Sequence, residues 1–156
     1  MRLISHRGNI NGVNPKLENT KEYVDLAIDK GYSVEIDVWY RNGFWLGHDN
    51  PQYPVDLEWL VDRSQKLYIH CKNFESLSAL LDYNESGIPP HPDLGLVLFF
   101  HEKEDYTIIS NNKIWAHNLS NINDKCVIPL LTKSQITNWV KQPVYGVCSD
   151  FIELLK

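Results

Sequence analysis

Apolar and polar positions alternate between two periods along the chain. Leu3-Ile4-Ser5-His6 reads as a short strand. Asn19 with Glu22 three residues on has the form of a capping box, and Tyr23, Val24, Leu26, Ala27 and Ile28 follow at helical spacing until Gly31. Ser33 to Trp39 is a second strand. Arg41-Asn42-Gly43-Phe44 reads as a hairpin turn, with Phe44 to Gly47 as the returning arm. Asp56 begins a short helix through Leu57, Trp59, Leu60 and Val61. Leu67 to Cys71 is a third strand, and Asn73 caps a helix holding Phe74, Leu77, Leu80 and Leu81. A Pro-rich loop, Ser86 to Pro92 with His91 in it, precedes an apolar strand from Leu94 to Phe100. Strand-like segments at Tyr106–Ile109, Ile114–His117, Cys126–Leu131 and Val144–Ser149 complete the chain. Thr132 and Gln135 form a second capping box for a helix through Ile136, Trp139 and Val140, and a short turn runs from Asp150 to Leu155.

Strands that alternate with helices and are apolar throughout predict a parallel α/β architecture, either an open doubly wound sheet or a barrel. A full (β/α)₈ barrel takes about 250 residues. This chain has 156, read as one domain over residues 1–156, so any barrel is abridged. The stretch from Glu102 to Asn123 lacks helical patterning, and outer helices are expected to be missing there.

Charge narrows the partners. Fifteen Lys and Arg against twenty Asp and Glu leave a formal charge of −5, against a nucleic-acid partner, which is held mainly through Lys and Arg. No basic amphipathic stretch and no apolar run of about 20 residues is present, so no stable membrane insertion is expected. The N-terminus has no apolar leader, and Cys71, Cys126 and Cys148 form no CxxC pair. A reduced, cytoplasmic protein is expected.

The chemistry lies in polar residues inside apolar strands. Glu35 and Asp37 stand two apart, so both carboxylates share one face while Val34, Ile36 and Val38 share the other. Two carboxylates on a buried face repel unless a cation or proton lies between them, which points to a hard metal ion. His70 and Lys72 repeat the spacing in the third strand, and a Lys at such a strand end can hold a phosphate oxygen. His6, followed by Arg7 and Gly8, ends the first strand, and His48 ends the hairpin arm. Two histidines flanking a carboxylate pair suit in-line phosphodiester cleavage, one taking a proton from the nucleophile and the other giving one to the leaving oxygen.

His6-Arg7-Gly8, Glu18-Asn19-Thr20, Glu35-Ile36-Asp37-Val38 and Gly47-His48-Asp49 together resemble the glycerophosphodiester phosphodiesterase family, a branch of the phosphoinositide-phospholipase-like barrel enzymes. The resemblance implies an abridged TIM-type (β/α) barrel with parallel strands and reduced outer helices, one divalent metal ion, and hydrolysis of a small phosphodiester to a phosphomonoester and an alcohol, with a place in lipid metabolism. By that likeness His6 and His48 are the catalytic pair, Arg7 contacts phosphate, Glu35 and Asp37 bind the metal, and Glu18 lies at or beside it. Tyr145 to Phe151 looks like the family's closing strand, and no catalytic role is expected there. Where the family's third strand reads E-x-K, this chain reads His70-Cys71-Lys72, keeping the Lys for phosphate. Imidazole shifts the expected ion from Mg or Ca towards Mn, Ni or Zn. Alternatively, His70 binds substrate and Glu18 completes the metal shell. Rival functions are a cyclising lyase resembling sphingomyelinase D and a catalytically inactive module that binds phosphate ligands. His101 and His117 have no partner pattern; His101, at the end of an apolar strand, is expected at the surface, with a position in the site as the alternative, and Trp39 and Trp45 are expected as packing residues near the site.

Overall fold

Residues 1–88 and 95–156 are described by a computed structural model, so His91 and the start of the Leu94–Phe100 strand lie outside the described residues. The strands are β1 (Arg2–His6), β2 (Ser33–Tyr40), β3 (Phe44–Leu46), β4 (Tyr53–Val55), β5 (Leu67–Cys71), β6 (Leu98–Phe99), β7 (Tyr106–Ile109), β8 (Lys113–Ala116), β9 (Cys126–Pro129) and β10 (Gly146–Ser149). Helices α1 (Lys21–Asp29), α2 (Leu57–Asp62), α3 (Phe74–Glu85) and α4 (Lys133–Asn138) lie between them. None of the helices among the described residues is long and apolar enough to cross a membrane.

The strands form one mixed α/β sheet, mostly parallel. β6, β5, β2, β1, β10, β9 and β8 run parallel in that order, and β7 adds antiparallel to β8. β3 and β4 form an antiparallel extension of β2. β4 was not legible in advance, because Pro54 within it cannot donate to a ladder; its place beyond β3 tolerates that. Between Glu102 and Asn123 the described residues form the β7–β8 hairpin and one 3₁₀ turn, with no α-helix.

One face of the curled sheet closes on itself as an apolar cluster. Ile4, Tyr68, Phe99, Ile109, Trp115, Val127 and Cys148, one from each of seven strands, pack together there. On the outer face, α1, α2 and α3 cover β2 and β5 through Val24, Ala27, Leu60, Leu80 and their neighbours. Ile136 of α4 lies with Ile128, Leu130 and Val147 over the other half. The two ends of the curl meet at Ser110. Its N–H donates to the Leu98 carbonyl and its Oγ accepts from the Leu98 N–H, each at 2.9 Å. Among the described residues no strand ladder joins β6 to β7, so the sheet is curled but not closed.

The helix starts follow local chemistry with one correction. Asn73 and Thr132 cap α3 and α4 in full capping boxes with Ser76 and Gln135. α1 is capped by Thr20, whose Oγ accepts from the Tyr23 N–H at 3.4 Å, and not by Asn19, which is drawn inward to another task. Asp56 precedes α2 without a side-chain capping bond.

Candidate metal centre

β2 serves two neighbours along one edge, and the site lies where it changes partner. β1 pairs with its first half and stops at His6 opposite Glu35; β3 takes the same edge from Val38 onward. The chain leaves β1 through Arg7 (φ 54°) and Gly8 (φ 92°). Gly8 is required by space as well as by its backbone angle, since a Cβ there would lie 2.7 Å from the Tyr23 ring. On the other edge, Asp37 lies opposite His70 of β5.

This register collects Glu35, Asp37 and His70, each offering a ligand atom within 4.8 Å of the others, a group that could hold a metal ion. Asp37 is fully buried and surrounded by donors. The His70 Nδ1 lies 3.0 Å from its Oδ1, the Lys72 Nζ 3.5 Å from the same atom, and the Arg7 Nε 2.9 Å from Oδ2. Burial alone would raise the Asp37 pKa, but the His70 contact and the charges of Arg7 and Lys72 hold it far below the usual carboxylate range. Glu35 is buried too and poorly matched. Its Oε2 has no hydrogen-bond partner, with the His6 Nε2 3.8 Å away, and the His70 Nδ1 lies 4.0 Å from Oε1. Burial, then Asp37, push the Glu35 pKa up. The His70 Nε2 approaches the carbonyl oxygen of His101 at 3.4 Å. The carbonyl takes Nε2 as its donor, which leaves Nδ1 as the ring nitrogen turned to the carboxylates, where it donates to Asp37 or, deprotonated, would ligate an ion.

Around this centre stand residues to which the sequence reading gave no place in the site. Asn19, in the left-handed region (φ 61°) and 1% exposed, clasps Asp37 at both ends. Its Nδ2 donates to Oδ2 and its Oδ1 accepts from the Asp37 N–H, both at 3.0 Å. Asn9 donates to Asp150 at 2.7 Å and to Glu18 at 2.9 Å. Asp150, just beyond β10, accepts from His6 Nδ1 at 2.8 Å, so the closing strand reaches the site. Burial disfavours a charged His6, but the Asp150 bond and then the Glu35 charge outweigh it, and its pKa lies above the ordinary value.

The remaining expected site residues spread around the rim. Glu18 stands beside the three-residue group and not within it, turned to Asn9 and, at 3.4 Å, to Arg7. His48 is half exposed, paired with Asp49 at 2.7 Å, and its pKa is lowered by burial and then by Arg7. It lines one cavity with His6, Arg7, Glu35 and His70. Gly47 (φ 148°) sets its position, because a Cβ there would run into the Asn50 carbonyl oxygen. Trp39 and Trp45 hold this hairpin through indole N–H bonds to the Gly47 and Arg41 carbonyls. His101 and His117 line the cavity as well. The His101 ring packs 4.3 Å from that of His70 and 4.6 Å from that of His117. Burial, then the charges of His70 and His117, lower the His101 pKa to about 4. Position at the carboxyl end of a strand is the signal shared by Asp150, His101 and His117 and could have identified them.

No family model, curated protein or solved structure matches the chain.

Proposed function

We propose that this chain is a metal-dependent phosphodiester hydrolase, an abridged TIM-type barrel acting on small phosphodiesters of the glycerophosphodiester kind. The observation that carries the reading is the buried Glu35 Oε2, left without a partner beside Asp37 and His70. Two buried carboxylates and one imidazole nitrogen facing each other are stabilised by a shared cation. The donor set fits a divalent ion; two oxygen donors with one nitrogen favour Mn, Ni or Zn over Mg or Ca. When bound, such an ion supplies Lewis-acid polarisation of a phosphoryl oxygen.

The chain's own residues supply the rest. Arg7 and Lys72 are already drawn to the centre by Asp37, and their charges oppose the negative charge that builds on the phosphoryl group. Asp150 fixes the His6 ring through Nδ1 and favours its imidazolium, which supports His6 as the group that protonates the leaving oxygen. His48, with its lowered pKa, is suited to accept the proton of the nucleophile. Glu18 supports the site through Arg7 and Asn9.

The test is hydrolysis of bis-p-nitrophenyl phosphate and of glycerophosphodiesters with Mg, Ca, Mn, Ni or Zn, with chelator and His6→Ala as controls. Metal-dependent turnover lost in His6→Ala is the expected result. A folded protein without turnover under every metal removes the catalytic reading and leaves a phosphate-binding module. A cyclic phosphate as end product identifies a lyase instead.

A further inference from the structure

Of the three residues that face each other at the centre, His70 is the one whose donor depends on the angle of a ring. An imidazole offers its lone pair in the ring plane, and the terminal torsion that sets this plane is soft, so a small turn carries Nδ1 away from the carboxylates. Hydrogen bonds hold the ring only in part. The approach of Nε2 to the His101 carbonyl is 3.4 Å, longer than a usual N–H···O bond. The Nδ1 contact with Asp37 Oδ1, at 3.0 Å, puts a proton where an ion would take the lone pair, so ion binding removes it.

Ring packing is not removed. Phe99 lies almost parallel to the imidazole, with centroids 5.0 Å apart and 6° between the planes. Trp115 backs Phe99 in turn, at 4.5 Å and 16°. Both are buried, so neither turns freely. His101 leans on the same pair, 4.3 Å from the His70 ring and 5.6 Å from that of Phe99. The three stacked rings come from β5, β6 and β8, so the plane of His70 is fixed by elements other than its own strand. Resting on the metal centre of the function proposed above, we infer that Phe99, backed by Trp115, is a positioning residue that holds the His70 imidazole towards the ion and thereby sets which ions the centre prefers. Its effect falls on the nitrogen donor alone. Zn and Ni bind imidazole well and depend on that donor, whereas Mg takes oxygen and depends on Glu35 and Asp37.

The test compares wild type, Phe99→Leu and Phe99→Tyr, because Leu removes the ring and Tyr keeps it. Zn and Ni are titrated calorimetrically into the metal-free proteins, and Mg is followed by the rise in Tm that it gives. Phe99→Leu should weaken Zn and Ni about tenfold, the low end for loss of an outer partner of a metal ligand, with the response to Mg unchanged. Phe99→Tyr should bind all three as the wild type does. If Phe99→Leu does not melt cooperatively in chelator, Phe99→Met, ringless and of similar volume, takes its place. Zn and Ni affinities that survive loss of the ring, an equal fall for Zn, Ni and Mg, or a Phe99→Tyr protein as weak as Phe99→Leu each overturn the positioning role, while binding by the wild type keeps the metal centre standing. A folded wild type that binds neither Zn nor Ni overturns both.

Discussion

Glu35→Gln should stabilise the metal-free protein and abolish its response to metal. Asp37 is matched by Arg7, Lys72, His70 and Asn19, whereas Glu35 has an oxygen with no hydrogen bond and only two imidazoles near 4 Å. The two carboxylates offer ligand atoms no more than 4.8 Å apart. At an effective dielectric constant of about 20, two unit charges at that separation repel by about 3.5 kcal/mol. Gln keeps the shape and removes the repulsion, but it also loses the attraction to His6 and His70. A net gain of about 1–3 kcal/mol is expected, which raises Tm by roughly 2–12 °C in a chain of this size. The sign depends on pH. Because the folded-state Glu35 pKa lies above its unfolded value, the native state holds the proton more tightly, and wild-type stability falls as pH rises through the folded pKa. The advantage of the variant should therefore be small near pH 4 and full in alkaline buffer. Added metal offsets that advantage. At a concentration a hundredfold above Kd, the wild type gains about 2.7 kcal/mol and the variant gains none. Thermal melts of both proteins, with chelator and with Mn or Zn, between pH 4 and 8, read all of this. A variant less stable than wild type in chelator at pH 8 would refute the view of Glu35 as an unmatched charge kept for a cation.

Four further outcomes follow from the same geometry. Asn19→Ala removes a donor from a buried carboxylate, orphans the Asp37 N–H and puts Ala at a positive φ; a loss of about 2–4 kcal/mol is expected in urea unfolding. Asp150→Asn should lower kcat about 10²-fold with little change in KM and in melting temperature, since it acts through His6; an unchanged kcat removes Asp150 from the reaction. Gly47→Ala forces a strained angle and a clash with the Asn50 carbonyl, so His48 is displaced and turnover should fall at least tenfold in a protein that still melts cooperatively. Cys71, Cys126 and Cys148 are buried, and burial pushes the Cys71 thiol up to about 12 and the Cys148 thiol well above its ordinary value. A thiol reagent at pH 8 should label none of them until denaturant is added.

Much of the strand order along the chain was legible because apolar residues and turn residues alternate at the right periods. β1, β2, β5 and α3 stand within a residue or two of where patterning put them. β6 shows the weakness of that signal: a run of apolar residues marks burial, not pairing, and only Leu98 and Phe99 form ladder positions in the described part of it. The shared face of Glu35 and Asp37, and that of His70 and Lys72, follow from the two-residue repeat alone. Asn19 was misread because local chemistry offered it a helix cap, an ordinary role for Asn before a helix. The folded chain gives that role to Thr20 and turns Asn19 to Asp37, a partner 18 residues away that no local rule could supply.

What the sequence determined by itself is therefore the set of groups and their faces: two carboxylates on β2, an imidazole and an ammonium at the end of β5, and histidines at the ends of β1 and the hairpin. Tertiary structure decided which of them meet. The change of partner along β2 sets His6 against Glu35, the β2–β5 register sets Asp37 against His70, the β1–β10 register sets Asp150 against His6, and the curl of the sheet brings His101 and His117 to the same rim. Periodicity acts over a few residues and is written in the side chains themselves. Register and curvature are set by pairing between strands far apart in the chain, so a contact such as His6 to Asp150, 144 residues apart, exists only once β1 has paired with β10.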